Sequence, residues 1–163
     1  MRHAALLLVP LAAACGSDTP ANVAGTYTLA LNIEQNDCGI LGNPVGTPST
    51  GVGVVVTQNG SQVDAQVQGL PGAALALAMG SDTFSGTVSG NSLDLSISGT
   101  MPGSSGTCAF TRRAHLTGSL SGDVLSGKVT YTYVTNKTAD CGFRDTCQDV
   151  QILNGTRPPS VGK

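Results

Sequence analysis

From Val23 to Ile152, valine, leucine and isoleucine recur at every second place, separated by serine, threonine, asparagine and glutamine. Residues 23–34 put Val23, Tyr27, Leu29, Leu31 and Ile33 on one face and Thr26, Thr28 and Asn32 on the other. Residues 62–69 alternate Val63, Ala65 and Val67 with Gln62, Asp64, Gln66 and Gln68, while 51–58 is apolar almost throughout. The same alternation runs through 82–89, 92–99, 107–120 and 124–135, and Val150 with Ile152 marks a last segment, 148–157. A period of two with one apolar face predicts antiparallel strands that bury one side and wet the other.

Eight strands follow, and the links between them alternate in length. Short reversals fall near Asn59-Gly60, Gly90-Asn91 and Gly122-Asp123, where glycine supplies the positive φ of a tight hairpin. Longer links span 35–50, 70–81, 100–106 and 136–147. An internal repeat supports the hairpins: FSGTVSGNSL (84–93) and LTGSLSGDVL (116–125) share a strand-turn-strand pattern. If the strands run up and down, every tight turn lies at one end and every long loop at the other. Closing such a meander removes its edges, so the expected fold is all-β, an antiparallel up-and-down barrel of about eight strands, lipocalin-like, with a two-sheet sandwich as the alternative. The segment Ala73 to Met79 is open between an extra strand, a short helix and a bulged extension.

The first residues read differently. Arg2 and His3 precede an apolar run, Ala4 to Ala14, that is too short to cross a bilayer and ends in three alanines before Cys15. Ala12, Ala13, Ala14 and Cys15 resemble the lipobox of bacterial lipoproteins, with Leu11 one place earlier than the leucine usual in that motif. The resemblance implies cleavage before Cys15, lipidation of its sulfur and anchorage to a membrane. Gly16 in place of the aspartate that retains many such proteins at the inner membrane implies an outer-membrane address. The expected division is a signal peptide over 1–14, a tether over 15–22, the barrel over 23–157 and a tail over 158–163.

Cysteine number fits that division. Five cysteines leave one unpaired, and lipidation of Cys15 leaves Cys38, Cys108, Cys141 and Cys147 to pair in an oxidising compartment. All four fall at the long-loop end. Barrel closure sets the end of the first strand beside the start of the last, which favours Cys38 with Cys147 and Cys108 with Cys141; the rival pairing is Cys141 with Cys147. No CxxC pair is present, so no zinc site and no other metal or cofactor is expected.

Charge narrows the partners. Without Arg2 the chain carries seven basic and ten acidic side chains, with no basic run, which argues against nucleic acid as a partner. Only His115 remains as a histidine after cleavage, on the outward face of its strand. The stretches GTVSG and GSLSG carry Val88 and Leu120 where a nucleophile elbow needs serine, and they sit in hairpins. No enzyme is expected. Glu34, Asp37, Asp140, Asp145 and Asp149 collect at the long-loop end with Arg144 and read as solvated loop charge. The triplets at Asn136 and Asn154 match a glycosylation signal that a bacterial protein does not use.

Arg112 is out of place. Extending the phase of Leu116 and Leu120 back along the strand turns Arg112 inward, where it can meet an anionic ligand, unless a bulge in TRRAH turns it out. Two function classes follow: an envelope lipoprotein with a filled barrel that acts structurally or by its surface, and a module that holds a small apolar or amphipathic anionic ligand. The absence of a convergent polar set in the sequence favours the first.

Overall fold

A computed structural model describes residues 19–158, so Cys15, the expected signal peptide and most of the expected tail lie outside the described residues. Nine strands form one sheet: β1 (Gly25–Asn36), β2 (Pro48–Asn59), β3 (Gln62–Val67), β4 (Thr83–Ser89), β5 (Ser92–Ser98), β6 (Gly103–Ser105), β7 (Cys108–Ser121), β8 (Val124–Thr135) and β9 (Asp149–Thr156). Neighbours run in the order β5-β4-β3-β2-β1-β9-β8-β7, and β5 pairs again with β7. That last pairing closes an eight-stranded antiparallel barrel, and β6 adds a three-residue ninth strand on the end of β7. The sandwich alternative is excluded by this closure.

The expected alternation forms the core. Tyr27, Leu29, Val54, Leu95, Leu116 and Val129 are all buried, one or two from each of several strands. Interior glycines allow the strands to approach closely. A Cβ on Gly86 would lie 2.1 Å from the Asp94 carbonyl of β5, a distance no side chain tolerates.

The segment left open, Ala73 to Met79, is helical within α1 (Gly69–Met79). Leucine, alanine and methionine are strong helix formers, and Pro71 stands in the first turn, where its missing N–H is not needed. Gly80, with φ +84°, donates its N–H to the Ala76 carbonyl and ends the helix in the left-handed cap that glycine favours. Because α1 is not a strand, the later strands keep their expected directions, and tight turns and long loops stay at opposite ends.

The tight-turn end is sealed. Ala21 donates its N–H to the Gly90 carbonyl at 2.8 Å, Val23 donates to Gln58 Oε1 at 2.7 Å, and the Val23 side chain is buried. Arg157 fastens this plug, with Nε 3.0 Å from Asp123 Oδ1 and Nη1 on the carbonyls of Asn22 and Ala24. The chain therefore enters the barrel across its closed end.

The last strand departs from its sequence pattern. Val150 and Ile152 mark the strand, yet Gln151 and Leu153 face the interior, in register with Val129 and Gly127 of β8. A register shift between Ile33 and Gln35, where β1 pairs with β9, accompanies this phase.

Candidate functional site

The barrel is packed at its closed end by Val23, Tyr27, Val63, Val88 and Leu120 and hollow above them. The hollow is a cavity of about 380 Å³ that opens at the long-loop end. Its wall is aliphatic: Leu29, Val54, Leu95, Leu116, Leu125 and Leu153 supply much of it. At the mouth stand Ile40 and Leu41 from the loop after β1 and Pro71, Ala74 and Leu75 from α1. A filled barrel is thus not what these residues build. A volume of this size belongs to the lower range of small-molecule sites.

Four polar side chains line the cavity, Asn43, Ser49, Tyr131 and Gln151, and among the described residues no charged one does. Tyr131 Oη donates to Gln151 Oε1 at 3.0 Å. Burial pushes the Tyr131 phenol above its ordinary range, and the negative charge of Asp149 adds to the effect. The phenol is therefore a neutral hydroxyl at any physiological pH.

Two disulfides fasten the mouth. Cys38 is bonded to Cys147 and Cys108 to Cys141. The first ties the loop that carries Ile40 and Leu41 to the segment that opens β9. Asp149 ties it again. This carboxylate is 0% exposed and accepts the main-chain N–H groups of Cys38 at 2.6 Å, Ile40 at 2.7 Å and Leu41 at 3.3 Å. Asp149 is therefore a buried clamp, and the reading of it as solvated loop charge is corrected.

The other acidic residues of this end stay on the surface. Asp140 accepts from Thr107 N at 2.6 Å and Thr107 Oγ1 at 2.7 Å, and these two bonds hold its carboxyl below the ordinary range. Asp145 is lowered first by the Thr135 hydroxyl and further by Lys137. A carboxyl lowered by folding adds stability that is whole above the unfolded value near pH 4 and is lost as the pH falls through the folded one. The thermal midpoint should therefore decline below about pH 4, and Asp140→Asn should show a shallower decline than wild type in the same scan.

Arg112 does turn inward in phase, and β7 pairs with β8 from Phe110 to Ser121 without a bulge. It nevertheless does not line the cavity. Its Nη1 donates to the Ala78 carbonyl in the last turn of α1 at 3.1 Å, and its guanidinium carbon lies 6.0 Å from the centre of the Tyr133 ring. Arg112 is a strut between β7 and the helix, so Arg112→Met should cost about 1 kcal/mol in chemical denaturation, the net worth of such a bond. Uptake of an apolar probe should be unchanged. Arg144 packs nearby against Phe110, Phe143 and Tyr133, with ring centres 5.1, 4.9 and 5.9 Å away.

His115 Nε2 lies 2.9 Å from Asp94 Oδ1 on the outer surface, on the face of β7 opposite the cavity. Gln151 and the clamp at Asp149 were not legible as site residues. The signal that could have found them is the parity of β9, which the apolar pair Val150 and Ile152 conceals.

No protein-family model matches this chain, and no curated protein matches it. Among solved structures it is similar to one described as the structure of EF1p2_mFAP2b bound to DFHBI, with 12% identity, a TM-score of 0.45, and coverage of 83% of this chain and 94% of that one. The architecture given above stands on the strand pairing itself.

Proposed function

We propose that this protein is a binding module of the bacterial cell envelope that holds a small apolar ligand inside its barrel. The observation that carries the reading is the cavity, about 380 Å³, aliphatic, sealed at one end and open at the other. Ala65 stands on the inward phase of β3 and lines the cavity, where a larger side chain would fill it. The disulfides and the Asp149 clamp hold the mouth in shape, which lowers the ordering cost that a ligand would otherwise meet.

The lipobox resemblance at Cys15 supports a location for the protein, a lipid anchor in the outer membrane. The acyl chains usual in bacterial lipoproteins contribute about 0.8 kcal/mol per buried CH2, enough together to hold the domain to a bilayer. A Cys15→Ser variant that fractionates with membranes as wild type does would remove this part of the reading.

The binding part is tested by titrating the full-length Cys15→Ser protein with N-phenyl-1-naphthylamine, a neutral fluorophore. Saturable uptake at one site is expected, and Val54→Phe and Ala65→Phe, which place rings in the cavity, should reduce it at least about tenfold while the melting curve survives. Equal uptake by all three proteins would place the probe elsewhere and defeat the reading. A second reading, action by the surface, is favoured by Leu70 and Leu77 of α1, which are 87% and 78% exposed beside the mouth. Wild-type protein that takes up no probe would favour it.

A further inference from the structure

We infer that the ligand is a single-tailed molecule with an uncharged, hydrogen-bonding head, such as a hydroxyl, ester or amide, and that the site discriminates against an ionised carboxylate. The inference rests on the binding reading and names the ligand class for the same cavity.

The orientation comes first. Tyr131 and Gln151 sit high on their strands, near the start of β9, whereas Leu125 and Leu93 lie close to the tight turns at Gly122 and Gly90. Asn43 and Ser49 belong to the loop and strand end at the same upper level. The deep wall is hydrocarbon and the upper wall is polar, so a tail enters first and a head stays near the mouth.

What the head meets is neutral. Tyr131 spends its proton on Gln151 Oε1, which leaves the phenolic oxygen able to accept and the Gln151 amide N–H groups able to donate. Among the described residues the Gln151 amide nitrogen has no protein acceptor. A hydroxyl, ester or amide can use such a pair without bringing charge out of water.

An anion would meet the wrong field. Asp149 stands opposite Tyr131 in the β8–β9 ladder and is fully buried, with its bonds committed to the main chain of residues 38, 40 and 41. Glu34 and Asp37 add exposed negative charge at the top of β1, on the same side of the mouth. The cations of this end do not line the cavity: Arg112 lies on the Ala78 carbonyl and the Tyr133 ring, Arg144 among Phe110, Phe143 and Tyr133, Arg113 on the exposed outward phase of β7, and Lys137 on Asp145. Burial first and the Asp149 charge second hold the Tyr131 phenol in its neutral form, and both would act in the same sense against a carboxylate placed beside it. A carboxylate leaving water for this wall would find no cation in compensation.

The test is competition against N-phenyl-1-naphthylamine bound to the full-length Cys15→Ser protein, at about pH 8 so that dodecanoate is ionised. Dodecanol should displace the probe at least about tenfold more effectively than dodecanoate, a difference near 1.4 kcal/mol. Because dodecanol is also the less soluble of the two, the reading is the change in that ratio on substitution. Gln151→Leu and Tyr131→Phe should each reduce it about fivefold by removing one hydrogen-bonding partner, while the probe still binds. A wild-type ratio near one, or a ratio unchanged in both variants, overturns the inference and leaves the cavity as a site for apolar ligands in general. Failure of the probe to bind wild-type protein overturns the binding reading and the inference with it.

Discussion

Replacing Cys38 and Cys147 together by alanine should lower the unfolding free energy by about 5 kcal/mol, the largest single loss expected in this protein. The bond joins residues 109 apart in sequence, so its removal releases nearly the whole barrel in the unfolded state. The same chain-entropy argument assigns about 4 kcal/mol to Cys108–Cys141, which spans 33 residues. Urea unfolding of the two double variants measures both. The order matters as much as the size: a smaller loss for the Cys38–Cys147 pair than for the other would mean that native-state contacts, not loop closure, set the contribution. A non-reduced peptide map of wild-type protein fixes the pairing itself, and a Cys141–Cys147 peptide would contradict the arrangement described here.

Asp149→Ala should cost about 3 kcal/mol, because it strips the acceptor from main-chain N–H groups that are shielded from water. Three bonds are lost at once, at 2.6, 2.7 and 3.3 Å. Part of the loss is recovered by water reaching Ile40 and Leu41 at the mouth, which keeps the figure below the sum of three buried donors. Asp149→Asn retains one carbonyl oxygen and should fall between the two proteins. Amide exchange provides the second measurement: residues 38, 40 and 41 should lose protection in Asp149→Ala while the β7–β8 ladder keeps it. Uniform loss across the barrel would show that Asp149 supports the fold as a whole instead of the loop at the mouth.

The disulfide pairing follows from the strand order read in the sequence, whereas Asp149 marks where sequence reading ends. The barrel is legible because its alternation is nearly unbroken: Leu93, Leu95 and Ile97 against Asp94, Ser96 and Ser98 leave little choice of face. The tight turns are legible because Gly60, Gly90 and Gly122 adopt the positive φ that the dipeptides suggest. The helix Gly69–Met79 is less so, since a run of leucine and alanine suits a buried strand as well as a helix whose exposed face is also apolar. The site itself is hidden for a physical reason. In β9 the β-branched pair Val150 and Ile152 falls on one parity, whereas the interior takes Asp149, Gln151 and Leu153 on the other. A buried carboxylate held by main-chain donors from the first loop is a product of tertiary closure, and nothing local announces it. Arg112 shows the converse: the sequence leaves its phase open between inward and turned out by a bulge, the unbroken β7–β8 ladder settles it inward, and its partner, the Ala78 carbonyl, exists only because α1 is a helix.

The cavity and its occupant are the centre of this account, and native mass spectrometry of protein gently extracted from its own membrane tests them most directly. The account predicts wild-type protein carrying one small apolar molecule per chain, released on stronger activation, and Ala65→Phe protein of normal fold carrying none. Wild-type protein at its bare mass that also takes up no added dodecanol would contradict it.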